Sequence, residues 1–175
     1  TVSGAGTPVV TRLPLDVMLI IDRSGSMGER TKPGGPTKLY AAKAAAKAFV
    51  DYLASHPPAS GYDRVGLVSY SNSATLNIGL TDISVPSNVT AVKNAIDALA
   101  ASDYTNIGAG IYRANDEFSA HGRTDAIRVE ILLTDGLPNR WTSDHKTQGT
   151  GSNFNEQAAA YARTAAAAAY NAGIT

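Results

Sequence analysis

The chain has 175 residues, 43% hydrophobic and 17% charged, which suits one domain burying roughly 70% of the surface its unfolded form would expose. Fifteen basic residues balance fifteen acidic ones without a long run of either sign, which argues against nucleic acid or an anionic membrane as the main partner. Cysteine is absent and no apolar run approaches the ~20 residues of a membrane span, so disulfides, thiolate metal sites, cysteine nucleophiles and a transmembrane helix are not expected.

The chain starts at Thr1 rather than Met and shows no signal peptide, which reads as a processed or excised piece. Its Ala, Gly, Ser, Thr and Asn content leans towards a secreted prokaryotic protein. Residues 1–14 look like a lead-in or N-terminal extension, with a short edge strand at Val9 to Thr11. "LDVMLIID" is then a near-continuous apolar run of strand length, the pattern of a strand buried on both faces. The Gly/Pro-rich "GERTKPGGPT" is loop. "KLYAAKAAAKAFVDYLASH" predicts a helix with Leu39, Ala42, Ala46, Phe49, Val50 and Leu53 on one stripe, stopped by Pro57–Pro58.

"DRVGLVSYS" and "ATLNIGLT" read as a hairpin around "SNS". Two helices follow, with Val89, Val92, Ile96 and Leu99 in register in one and Ile107, Ile111, Ala114 and Phe118 in the other. "AIRVEILLTD" predicts another buried strand; a polar loop from Gly136 to about Asn155 precedes a final alanine-rich helix capped near Gly173. This alternation specifies an α/β fold, Rossmann-like, with a mostly parallel central sheet, one antiparallel edge hairpin strand and helices on both faces. "GIT" after the last helix reads as the start of another strand, so the sheet is expected to lack its C-terminal strands here.

Two apolar strands end on aspartates, Asp22 and Asp135. Parallel strands in the middle of one sheet would bring both carboxylates to its carboxyl edge, where open α/β sheets bind ligands. Two carboxylates meeting at a half-buried rim repel unless neutralised, and a divalent cation would neutralise them. Ser24 and Ser26 follow Asp22 at alternate positions, which in an extended segment point the same way, with Gly25 permitting a bend. Thr105 stands before a helix whose first turn holds Gly108, Ala109 and Gly110, small enough to let that turn pack closely on the strand ends. All these donors are hard oxygens, which favours Mg²⁺, Mn²⁺ or Ca²⁺ over zinc.

In order and spacing, "DRSGS", "TNIGAG" and "LLTDG" resemble the metal-ion-dependent adhesion site of von Willebrand factor type A domains. The resemblance runs from Leu15 to the C-terminus. It implies that Asp22, Ser24, Ser26, Thr105 and Asp135 are the metal ligands, the hydroxyls direct and the aspartates wholly or partly through water. It further implies a cofactor of Mg²⁺ (or Mn²⁺, Ca²⁺) and a protein partner presenting an Asp or Glu carboxylate to the open coordination position. By position, Arg23, Glu29, Tyr104, Arg140 and Trp141 would form the partner-binding rim, and Trp141 suits a packed loop anchor as well as a contact. Asp103 and Tyr104 depart from the small residues common before the threonine; Tyr104 would narrow the approach. The terminal strands and final helix of the family are absent.

Each piece has a plainer explanation taken alone: an ordinary turn at Ser24-Gly25-Ser26, an N-cap at Thr105, a strand-closing turn at Asp135-Gly136. Jointly they favour a non-catalytic, cation-dependent protein-binding (adhesion) module, extracellular or on the cell surface. The alternative is an intracellular type A docking subunit of an ATP-driven chelatase or remodelling complex. An enzyme is not expected, since the nucleophile-elbow and phosphate-loop patterns are missing.

Overall fold

A computed structural model describes residues 12–143, 146–151 and 153–175; the edge strand expected at Val9 to Thr11 lies outside them. The apolar run forms β1 (Leu15–Asp22), buried along nearly its whole length. It sits centrally in a four-stranded sheet of order β3-β2-β1-β4, built with β2 (Arg64–Tyr70), β3 (Ala74–Asp82) and β4 (Ile127–Leu133). β1 runs parallel to both neighbours, with Asp22 beside Tyr70 and Ile21 beside Leu133. β3 returns antiparallel to β2 across the short turn Ser71–Ser73.

Alternation along β1 serves two cores. Val17, Leu19 and Ile21 face α1 (Lys38–Ser55) and α2 (Pro86–Asp97), packing with Val50, Leu53, Val92 and Ile96. Met18 and Ile20 face the other way, towards α3 (Ile107–His121) and α4 (Glu156–Asn171), packing with Ile111, Phe118 and Ala165. Each fully buried aliphatic side chain contributes roughly 1.5–3 kcal/mol, so the stripes read from the helical sequences are what hold the three layers together. The result is the expected mostly parallel α/β sandwich with one antiparallel edge strand.

Four details differ from expectation. β4 is an edge strand rather than a doubly buried one, with Leu132 substantially exposed. Beyond it, as expected of the strand that "GIT" begins, Ile174 pairs in parallel with Arg128, and Thr175 exchanges backbone bonds with Arg128 and Glu130. β4 also stops at Leu133, so Asp135 stands on the following turn. The polar stretch after Gly136 contains a small antiparallel hairpin, β5 (Trp141–Ser143) with β6 (Lys146–Gln148); three-residue strands carry too little alternation to be read from sequence. Finally, α3 begins at Ile107 and its cap is Asn106, whose Oδ1 accepts from Ala109 N, so Thr105 is not the N-cap.

The amino end of β1 is locked by ion pairs. Buried Asp16 accepts from Arg64 Nε and Nη2 (2.8 and 2.5 Å) and from Arg123 N, Nε and Nη2 (2.9, 3.0 and 2.7 Å). Burial alone would raise its pKa, but these bonds outweigh it and hold the carboxyl below the usual range.

Candidate metal centre

The carboxyl end of β1 is built differently. Asp22 is as buried as Asp16, yet it has no Arg or Lys partner among the described residues. Its Oδ1 accepts from Ser24 N at 2.7 Å and its Oδ2 from the Thr134 hydroxyl at 2.7 Å. Beneath it lies the fully buried Tyr70, whose phenol pKa is pushed up by burial and then by the negative charge of Asp22. Each Asp22 oxygen keeps a further lone pair for a cation or its water.

The serines converge, though not by strand alternation. Ser24 is extended (φ −61°, ψ 165°), and the chain then turns at once into a single 3-10 turn over Gly25–Gly28. The turn brings Ser24 Oγ and Ser26 Oγ to 3.2 Å, and Ser26 Oγ lies 3.0 Å from Asp135 Oδ1. Gly25 is needed here for space rather than for bending: a Cβ would sit 3.2 Å from the Asp103 carbonyl, to which Gly25 N donates at 2.8 Å. Asp103 in turn adopts a left-handed φ of 66°, a conformation that glycine enters most readily.

Thr105 joins the same cluster. It is nearly buried, and a Cβ on Gly136 would lie 3.5 Å from both Thr105 Oγ1 and Asp22 Oδ2, so those two oxygens flank Gly136. Its backbone is pinned by Asn139, which accepts from Thr105 N at 2.8 Å, while Asn139 N and Arg140 N donate back to Thr105 O. Because Asn106 takes the capping role, the threonine hydroxyl is spared for the cluster. The glycines of α3 act as expected but on two partners: Gly110 admits Tyr70 and Ile20 of the sheet, and Gly108 admits Tyr161 of α4.

The donor set fits a hard divalent ion. Adjacent oxygens of an octahedron around Mg²⁺ lie about 2.9 Å apart, and around Ca²⁺ about 3.4 Å or more. The 3.2 and 3.0 Å spacings of Ser24, Ser26 and Asp135 lie between those two values, within reach of either ion. No group of three or more His, Asp or Glu able to hold a metal occurs among the described residues, so any cation here depends on neutral hydroxyls.

The sequence profile of the von Willebrand factor type A domain matches residues 17–137, which span the whole cluster. The chain belongs to the von Willebrand factor type A family. Among curated relatives, a UPF0353 protein of Mycolicibacterium paratuberculosis is 37% identical over 85% of this chain and 43% of its own length. A UPF0353 protein of Mycolicibacterium vanbaalenii is 38% identical over 65% and 31%. The chain thus spans less than half the length of these relatives. Among solved structures, the vWF domain of the type V pili tip protein Mfa5 from Porphyromonas gingivalis superposes with a TM-score of 0.62 at 26% identity, covering 76% of this chain and 41% of that one. The PilB minor pilin of Streptococcus sanguinis (TM-score 0.74, 17% identity, 97% and 50% covered) and a type A domain from Catenulispora acidiphila (0.64, 24%, 93% and 32%) share the fold.

Around the type A cluster lies a cleft of about 320 Å³ whose lining includes Ser26, Lys38, Thr105, Asp135, Leu137 and Phe154. The two apolar residues stand exposed on its rim. Of the expected rim residues, Glu29 is bonded to Lys38, and Arg23 donates to Ser102 Oγ at 3.1 Å. The Arg140 guanidinium lies 4.2 Å from the centre of the Tyr104 ring, a stacked pair beside the site. Trp141 packs against Gly149, where a Cβ would come within 2.9 Å of the indole, consistent with a loop anchor.

Sequence reasoning missed Lys38, Thr134, Tyr70, Asn106 and Asn139. Thr134 was inside the quoted "LLTDG" and Asn106 inside "TNIGAG", so both had a signal. Lys38 lay on the polar side of a helix, where a lysine is ordinarily just solvated.

Proposed function

We propose that this type A domain holds a divalent cation, Mg²⁺ (or Mn²⁺, Ca²⁺), and uses it to capture an acidic side chain of a partner protein at the cell surface. The observation that carries this reading is the contrast along β1: Asp16 is met by two arginines, whereas among the described residues equally buried Asp22 accepts only from the Ser24 amide and the Thr134 hydroxyl, beside the linked Ser24, Ser26 and Asp135 oxygens. Leaving such a charge without compensation is costly, and a cation supplies the compensation.

Ser24, Ser26 and Thr105 would ligate directly, with Asp22 and Asp135 behind them. Bound there, the cation supplies a Lewis-acidic position open to one more oxygen. Neutral hydroxyl donors leave its charge largely unspent, so a partner glutamate or aspartate is attracted to it. Such a contact gains ~1 kcal/mol at 4 Å in water and ~4 kcal/mol at an effective dielectric near 20, so the rim must add affinity and select the partner. Leu137 and Phe154 of the cleft would do this, with Tyr104, next to Thr105 in the chain, and Arg140, whose amide donates to Thr105 O. Similarity to the domain of a pili tip protein supports an adhesive, surface-exposed role.

The role is binding rather than catalysis. Among the described histidines, His56 stacks on Tyr52 and His121 meets Glu117. Calorimetric titration with Mn²⁺ tests the proposal: the wild-type chain should bind one equivalent, and Asp22→Ala or Ser24→Ala should bind none while keeping the circular dichroism spectrum. Unchanged Mn²⁺ binding in both variants would refute the assignment.

A further inference from the structure

Lys38 is the first residue of α1, the end of a helix at which the backbone dipole disfavours positive charge. Its ammonium is nonetheless fixed at the cation cluster, 2.6 Å from Asp135 Oδ2 and 2.8 Å from Glu29 Oε2. The other oxygen of Asp135 accepts from Ser26. One carboxylate therefore presents one oxygen to the hydroxyls and the other to a tethered positive charge. A residue that opposes its local preference is a sign of a functional demand.

The placement is built into the backbone. Lys38 N donates to Glu29 O at 2.9 Å, and Arg30 bridges to Thr37, so the loop between them is pinched shut at its base. Glu29 and Lys38 arrive side by side whatever the conformation of Thr31 to Pro36. Glu29 lies on the solvent side of the ammonium and is two-thirds exposed (68%), so it screens that charge only in part.

We infer that Lys38 is a counter-charge that divides the site's affinity between its two ligands, loosening the hold on the divalent cation while strengthening the loaded site's hold on a carboxylate. Resting on the cation-binding function proposed above, this role follows from the charge balance. Asp22 and Asp135 together match a divalent ion; the ammonium at Asp135 cancels part of that match and repels the ion. Once the ion is bound, the same ammonium leaves the cluster more positive towards an acidic visitor. The two effects have opposite signs, which a purely structural role would not produce.

Mn²⁺ affinity by calorimetry and ¹³C-acetate affinity by paramagnetic relaxation on the Mn²⁺-loaded protein test it, using wild type, Lys38→Met, Lys38→Gln and Lys38→Arg. Both neutral variants should bind Mn²⁺ about tenfold more tightly, the scale for removing a unit charge from beside a divalent ion in water-like surroundings. They should bind acetate several-fold more weakly, and Lys38→Arg should behave as wild type in both titrations. Neutral variants that bind Mn²⁺ no more tightly, or acetate no more weakly, overturn the inference alone. A wild-type chain that binds no Mn²⁺ overturns the cation site and this inference with it.

Discussion

Asp16 and Asp22 occupy opposite ends of β1, and both are shut away from solvent. At Asp16 the two arginines and the Arg123 amide leave little unsatisfied. Asp16→Asn should therefore strand two guanidinium groups and cost roughly 3–5 kcal/mol in urea denaturation. Asp22→Asn should cost far less, because an amide can still accept from Ser24 N and meet the Thr134 hydroxyl. A loss at Asp22 as large as that at Asp16 would mean both carboxylates serve the fold. At this scale the sequence was most legible: Asp22, Ser24, Ser26, Thr105 and Asp135 are oxygen donors in a spacing that few other arrangements share, and the fold gathers all five. What it concealed were residues whose importance comes only from neighbours brought by folding. Lys38 is one, and Asn139, which pins the Thr105 backbone, is another.

Among the elements, α3 is the one whose approach to the sheet positions Thr105. Gly110 makes that approach possible: a Cβ would stand 2.6 Å from the Tyr70 ring and 3.0 Å from Ile20. Gly110→Ala should cost about 1–3 kcal/mol by overpacking and weaken Mn²⁺ binding in parallel, since the helix start must back away from Tyr70. The edge strand β4 carries a second test. Burial raises the Glu130 carboxyl from its ordinary 4.5 to about 7, and its Oε1 lacks a bonding partner. The folded state thus holds a proton that the unfolded state releases earlier, so the contribution of this group to stability is greatest below about pH 4.5. It falls as pH rises towards 7 and is level above that. The loss should be roughly 1–2 kcal/mol after allowing for partial exposure, and Glu130→Gln should remove this slope from denaturation curves measured between pH 4 and 8. The helix stripes and the strand order followed from apolar periodicity. The edge position of β4 did not, because an apolar run describes what a strand could bury and not which neighbours it receives; the β5–β6 hairpin escaped because its strands are too short to show a period.

Over the molecule as a whole, the sheet separates two kinds of electrostatics. The end bearing the strand amino termini is neutralised internally by Arg12, Arg64 and Arg123, whereas the opposite end gathers carboxylates and hydroxyls. On the proposed reading, only the second end takes a cation from outside, in addition to its own Lys38. A cation at one hundred times its dissociation constant should raise stability by ~2.7 kcal/mol, visible as a higher melting temperature with Mg²⁺ that EDTA or Asp22→Ala abolishes. An equal rise in the Asp22 variant would place the stabilising ion elsewhere. Thr105 has one more whole-molecule tie. Asn106 bonds its side chain to the Asn72 carbonyl and to the Thr142 hydroxyl of β5, and Asn139 clamps the neighbouring backbone. The hairpin is thereby rooted at its base. On the proposed reading, substitutions along β5 and β6 that spare these bonds would alter what a partner meets while leaving the cation's hydroxyl donors where they are.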